Sequence, residues 1–227
     1  PTPRYSLKIM RQRSAILFAA LAIAIALLLA IDIMVGSVGI AIGDVWAVLT
    51  GGDCDPITRK IILDIRLMKA IVAILAGAAL AVSGLQMQTL FRNPLAGPYV
   101  LGVSSGASLG VAIFILGSPL LGIASTSTFS SLGTAGAAWV GAAAILTVVA
   151  AVSRRIKDIM VILILGMMVS SGVSAIVQIL QYLSAEEALK SFVIWTMGSL
   201  GDVTSAQLAL VAPAVIAGLT ISVAAIK

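Results

Sequence analysis

RNPLAGPYVLGVSSGASLGV, from Arg92 to Val111, joins two long apolar segments through a polar turn broken by prolines, then opens into glycines four residues apart. Proline disfavours helical conformation in the residue before it, so Pro94 and Pro98 predict irregular backbone from Asn93 to Tyr99. Gly102, Gly106 and Gly110 fall on one stripe of the helix that follows, a small-xxx-small ladder that lets another backbone approach closely. The stretch reads as a hinge inside a membrane.

Composition agrees with that setting. Of the 227 residues 60% are apolar and only 10% charged, far from the balance of a soluble domain. Crossing a hydrocarbon core of about 30 Å takes roughly 20 helical residues. Six stretches approach or reach that length: Ser14 to Val35, Leu67 to Leu90, Tyr99 to Gly117, Leu132 to Val152, Ile159 to Leu183 and Ala206 to Ile226. Their apolar runs are continuous rather than alternating, which argues against a β-barrel. The expected fold is an all-α, polytopic bundle forming a single transmembrane domain over 1–227. The long connection Gly36 to Arg66 reads as an extramembrane loop with a short interfacial helix around Asp44 to Leu49. Glu186 to Leu200 is amphipathic and carries Trp195, which suits a membrane surface.

Charge sets the expected orientation. Six spans put both termini and the loops after spans two and four on one side, with Arg4, Lys8, Arg11, Arg13, Arg92, Arg154, Arg155, Lys157 and Lys227 against only Asp158. The other side mixes five basic with eight acidic residues. By the positive-inside rule the termini are cytoplasmic, and the net charge of +5 is a topology signal that says nothing of nucleic acid. The first span is too long for a signal-peptide core and lacks a clean cleavage site, so a retained helix is expected. The lone Cys54 cannot form an intrachain disulfide.

The chemistry available is narrow. Without histidine there is no imidazole base, histidine metal ligand or axial haem histidine. No G-x-x-x-x-G-K-[ST] loop is present, so ATP hydrolysis is not expected of this chain, and no nucleophile elbow, zinc motif or cysteine cluster occurs. No catalytic residue, metal ligand or cofactor is expected, and passage or signalling across a bilayer remains. The charged residues fall almost wholly in loops, so no intramembrane proton relay or ion-coupling carboxylate marks a secondary transporter or channel. A non-transporting scaffold, with its glycine stripes serving assembly alone, is the other reading.

Three runs carry a family resemblance: IRLMKAIVAILAGAALAVSGLQMQTLFRNPLAGPYVLGVSSGASLGVA from Ile65 to Ala112, RRIKDIMVILILG from Arg154 to Gly166, and SFVIWTMGSLGDVT from Ser191 to Thr204. The chain resembles FecCD-type permeases, the membrane subunits of ABC importers for iron siderophores, haem and cobalamin. That resemblance implies a homodimer with the path between two permease copies, cytoplasmic ATPase subunits, an extracytoplasmic solute-binding protein, and residence in the inner membrane of a prokaryote. Such permeases have about ten helices, with an ATPase-docking element after the sixth. Ending at Lys227 and beginning at Pro1, this sequence is expected to be a truncated polypeptide or fragment.

The resemblance also implies roles for particular residues. Arg66 and Lys69 match a basic R-L-P-R motif that pairs with glutamates of the binding protein. Met68 stands here for the proline, and Lys69 for an arginine whose bidentate fork lysine cannot reproduce. Interfacial anchoring is the plainer role for both. Asn93, Pro94 and Leu95 match one cytoplasmic gate loop, and Asp158 and Ile159 the other, against the plainer reading of Asn93 as a turn or cap residue. Gly77, Ala81 and Gly84, at steps of four and three, with Gly166, Ser170 and Ser174, at steps of four, place small residues on one helix face and read as packing seams beside the Gly102 ladder. Gln86, Gln88 and Gln178 lie within spans, where lipid exposure is costly, and are expected to face inward.

Overall fold

A computed structural model describes residues 3–36, 38–117, 127–156, 158–201 and 203–225. The described residues are helical or in turns and short connections: α1 (Pro3–Met34), α2 (Ile42–Thr50), α3 (Pro56–Lys60), α4 (Met68–Phe91), α5 (Val103–Gly117), α6 (Ser127–Ser153), α7 (Ile159–Leu183), α8 (Glu186–Met197) and α9 (Ser205–Ala224). Among the described residues five helical stretches are long and apolar enough to cross a membrane: Gln12–Met34, Pro56–Phe91, Leu132–Ser153, Ile159–Leu183 and Ser205–Ala224. The predicted end of the last span, Ile226, lies outside the described residues.

Two boundaries differ from the sequence reading. The second membrane helix begins well before Leu67, because Asp55 caps it by accepting from the Thr58 amide at 3.0 Å and Pro56 occupies its first turn. From there α3 continues through a π-helical segment, Ile61–Leu67, into α4. At about 1.5 Å per residue the whole rod exceeds the hydrocarbon thickness, so its charged first part extends beyond the core. The third apolar stretch falls short of a full span: Pro98–Leu101 is a 3-10 turn, Gly102 adopts φ 79°, and only then does the 15-residue α5 begin. Gly102 supplies the left-handed conformation that a side chain would resist.

Residues 1–73 and 74–227 form two compact units. In the first, Ile33 of α1, Ile40, Val45 and Val48 of α2, and Ile62 form a small buried cluster. In the second, α5 is the centre, packing most extensively on α6 and also on α7 and α8. Its Val111, Ala112 and Leu116 are buried with Val177, Ala188 and Phe192. Most of the remaining apolar surface is exposed, including Phe18, Leu21 and Ile25 of α1 and Ile216 and Ile221 of α9. Helices apolar all round suit lipid or further helices as neighbours.

Candidate functional site

The hinge is a built turn. Arg92 has φ 48°, the Asn93 side-chain oxygen accepts from the Leu95 amide at 2.9 Å, and the Ala96 amide donates to the Asn93 carbonyl at 3.1 Å. This is an Asx-stabilised β-turn with Pro94 at its second position, where proline's fixed φ fits. Phe91 and Ala96 are buried on either side, while Leu95 at the tip is 83% exposed. Asp158 holds a different local job: its carboxylate accepts from the Met160 amide at 2.8 Å and caps α7, whose first residue is Ile159. Asn93 and Asp158 thus each use a side-chain oxygen within their own turn.

Beyond the turn the chain runs deep along α7. A Cβ at Gly166 would strike the Val100 carbonyl oxygen and lie 3.1 Å from the Leu101 Cα. One at Gly102 would lie 3.0 Å from the Ser170 hydroxyl and 3.2 Å from Ile145. Gly166 stands seven residues into α7, about 10 Å along it, so the 3-10 turn lies within the length of a membrane helix. Irregular backbone at that depth persists where protein buries it or a cavity wets it.

The glycine ladder faces α6. A Cβ at Gly106 would come within 2.6 Å of the Gly141 carbonyl oxygen, one at Gly110 would overlap the Ala137 carbonyl, and one at Gly141 would overlap the Gly106 carbonyl. Sequence reasoning singles out the ladder and not its partner. Gly133, Ala137 and Gly141 repeat a small residue every fourth position, the signal that would have found it. Gly77 and Gly84 on α4 differ, since a Cβ at either meets nothing within 4 Å. Gly77→Ala and Gly84→Ala are expected to raise stability by about 0.5–1 kcal/mol each, the helix-interior advantage of alanine. Thermal unfolding in detergent measures it, and a fall would put another helix against that face.

Arg66 and Lys69 are both engaged within the first unit. The Arg66 guanidinium, 8% exposed, donates to the Ile33 carbonyl at 2.6 Å, the Met34 carbonyl at 2.9 Å and the Val38 carbonyl. Ile33 and Met34 end α1, where carbonyls lack helical partners and the dipole favours a cation. Lys69 pairs with Asp32 at 3.2 Å, the two side chains 44% and 39% exposed. Gly36 is part of the arrangement, because a Cβ there would lie 2.9 Å from the guanidinium. Asp32, an ionisable residue near the end of the first apolar span, is a signal that sequence reasoning passed over, whereas Gly36 carries none; their roles arise where α1 and the π segment meet.

A polytopic helical membrane protein with a proline-broken hinge set against a neighbouring span is the class these features define. The chain belongs to the FecCD transport family, whose model matches residues 21–227. It is 38% identical over 166 residues to the hemin transport system permease protein HmuU of Yersinia pestis, covering 69% of this chain and 47% of that one. To the molybdate import system permease protein MolB of Haemophilus influenzae it is 36% identical over 159 residues, covering 68% and 44%. To the vitamin B12 import system permease protein BtuC of Escherichia coli it is 34% identical over 161 residues, covering 71% and 47%. A solved structure of an inward-facing metal-chelate type ABC transporter superposes with a TM-score of 0.69 at 28% identity, over 86% of this chain and 56% of that one. The chain spans about half the length of the curated relatives it matches.

Proposed function

We propose that this chain supplies the translocating part of an ABC importer permease that brings an iron chelate, haem or cobalamin into the cytoplasm. The observation that carries this reading is the Asn93–Ala96 turn and the irregular backbone after it, set into a membrane helix pair. A scaffold has no use for exposed Leu95 on a stiff turn at the mouth of such a break, whereas a gate needs a small rigid element that moves between two packings. Relatives named for hemin and vitamin B12 support the cargo class.

In this reading the protein is a multi-pass protein of a prokaryotic inner membrane with cytoplasmic termini, and 1–227 contribute to one permease domain. Two copies flank the path, separate ATPase subunits drive it, and a solute-binding protein loads it from outside. Lys69, half-exposed, is the better placed of the two basic residues to meet a carboxylate of that protein, because Arg66 spends its donors internally. Asn93, Pro94 and Leu95 form one gate loop, and Asp158 and Ile159 the other.

Reconstitution of the full-length permease with its ATPase in proteoliposomes tests the gate. Asn93→Ala removes the Asx bond and Leu95→Gly removes the tip. Each is expected to uncouple ATP hydrolysis from uptake, with transport per ATP falling about tenfold, a change of some 1.4 kcal/mol in a gating equilibrium. Unaltered uptake and coupling in both variants would return the loop to an ordinary turn and favour the assembly reading.

A further inference from the structure

Burial along the π segment and into α4 follows steps of four. Ile62, Arg66 and Ala70 are 1%, 8% and 2% exposed, whereas Ile65 is 53% exposed and the Lys69 side chain 44%. A plain α-helix would bury a different set. At about 100° per residue, Ile65, Arg66 and Lys69 would all lie within about 60° of Ile62, and Ala70 about 80° away. Lys69 would then turn onto the buried face beside Arg66, and Ala70 off it.

The i→i+5 bonding of Ile61–Leu67 accounts for the observed set. It fits one surplus residue into the helix, so every later residue is set back by one position, about 100°. Arg66 and Ala70 then come within about 60° of Ile62, while Lys69 turns to about 120° from it. The two ends of the segment are gripped by the same part of the first unit. Ile62 packs with Ile33, Ile40, Val45 and Val48, and Arg66 donates to the carbonyls of Ile33, Met34 and Val38. Set back in this way, Lys69 pairs with Asp32 at 3.2 Å and stays half-exposed. In the α register its ammonium would be buried away from that carboxylate and next to a second cation, which is costly.

We propose that the π segment is a positioning device whose surplus residue sorts the two basic side chains. It fixes Arg66 as the internal cap of α1 and leaves Lys69 as the cation open to an acidic group of a partner. The sorting stands on the geometry of the first unit; the partner rests on the permease reading.

Deletions in the full-length protein test it. Removing exposed Asp64 takes out the surplus, so the segment can continue as a plain α-helix with Ile62, Arg66 and Ala70 still on one face. Its Tm is expected within about 3 °C of the wild type, whereas deleting Asp64 and Ile65 together turns Arg66 off its carbonyls and should lower Tm by about 6 °C or more. The register is read directly by Asp32→Cys with Lys69→Cys in a Cys54→Ser background, using a short bifunctional thiosulfonate and intact mass. One bridge is expected in the parent and in the Asp64 deletion, and two separate adducts in the double deletion. A single deletion that loses the bridge, or that lowers Tm as far as the double one, would mean that the helix carries no surplus there and would overturn the proposal. Affinity for the solute-binding protein should survive the single deletion and fall about tenfold in the double one. A wild-type protein that binds no such partner, with the bridges as expected, would support the sorting and sink the permease reading instead.

Discussion

Gly141→Ala is expected to destabilise the protein by about 2–3 kcal/mol, the range for overpacking a tight contact, although it adds only one methyl group. The reason is that its new Cβ meets backbone and not a side chain that can turn aside: the Gly106 carbonyl overlaps it, and the Gly110 nitrogen and Cα lie 2.9 and 3.0 Å away. Separating α5 from α6 to admit it would also disturb Gly110 against Ala137, since the contacts share one crossing. Gly136→Ala, on the same helix with nothing within 4 Å, is the matched control and should gain about 0.5–1 kcal/mol. For a chain of this length 1 kcal/mol moves Tm by about 2–4 °C, so the two variants should separate by about 5 °C or more in a thermal scan. Equal Tm values would mean that the crossing is looser than the close approach of the two backbones implies. Gly106→Ala combined with Gly141→Ala should cost less than the sum of the two, because either alone already forces the helices apart.

The contrast between α5 and α6 shows what the sequence can disclose. A small residue every fourth position says, by spacing alone, that a helix has a face on which a backbone can lie. It does not name the other backbone, and a similar run of small residues on one face of α4 leaves Gly77 and Gly84 with open space. Likewise Pro94 and Pro98 foretell a break, since their constraint is local. The depth of that break, and the reduction of the third stretch to a 15-residue helix, depend on Gly166 lying against Val100, a tertiary fact. Gln86, Gln88 and Gln178 are expected to face inward because hydrocarbon penalises an amide, yet all three are exposed among the described residues, because the direction a span's polar side chain takes depends on neighbours that spacing does not name. Arg66 is the clearest limit. Its position in a basic pair suggests an outward role, and nothing in the local sequence reveals the carbonyls of Ile33, Met34 and Val38.

Those carbonyls make Arg66→Met the second large effect. Methionine keeps the apolar stem and removes all donors, leaving the end of α1 and the Val38 carbonyl without their cation. Hydrogen bonds to a charged group contribute about 1.5–3 kcal/mol each, and because one side chain makes all three the total is less than additive, so a loss of about 3–5 kcal/mol is expected. The loss should be confined to the first unit: limited proteolysis should find new cleavage between Gly36 and Asp55, while the α5–α6 crossing keeps its protection. Lys69→Ala removes a half-exposed pair and should change stability by less than about 1 kcal/mol. The two positions therefore separate anchoring from docking. If Lys69 meets the binding protein, its alanine variant keeps the wild-type Tm and loses affinity for that protein by about tenfold, some 1.4 kcal/mol, with the difference shrinking as salt screens it. Should Arg66→Met weaken binding without exposing the loop, the guanidinium would have to leave its carbonyls when the partner arrives, and the cap on α1 would be a latch that docking opens.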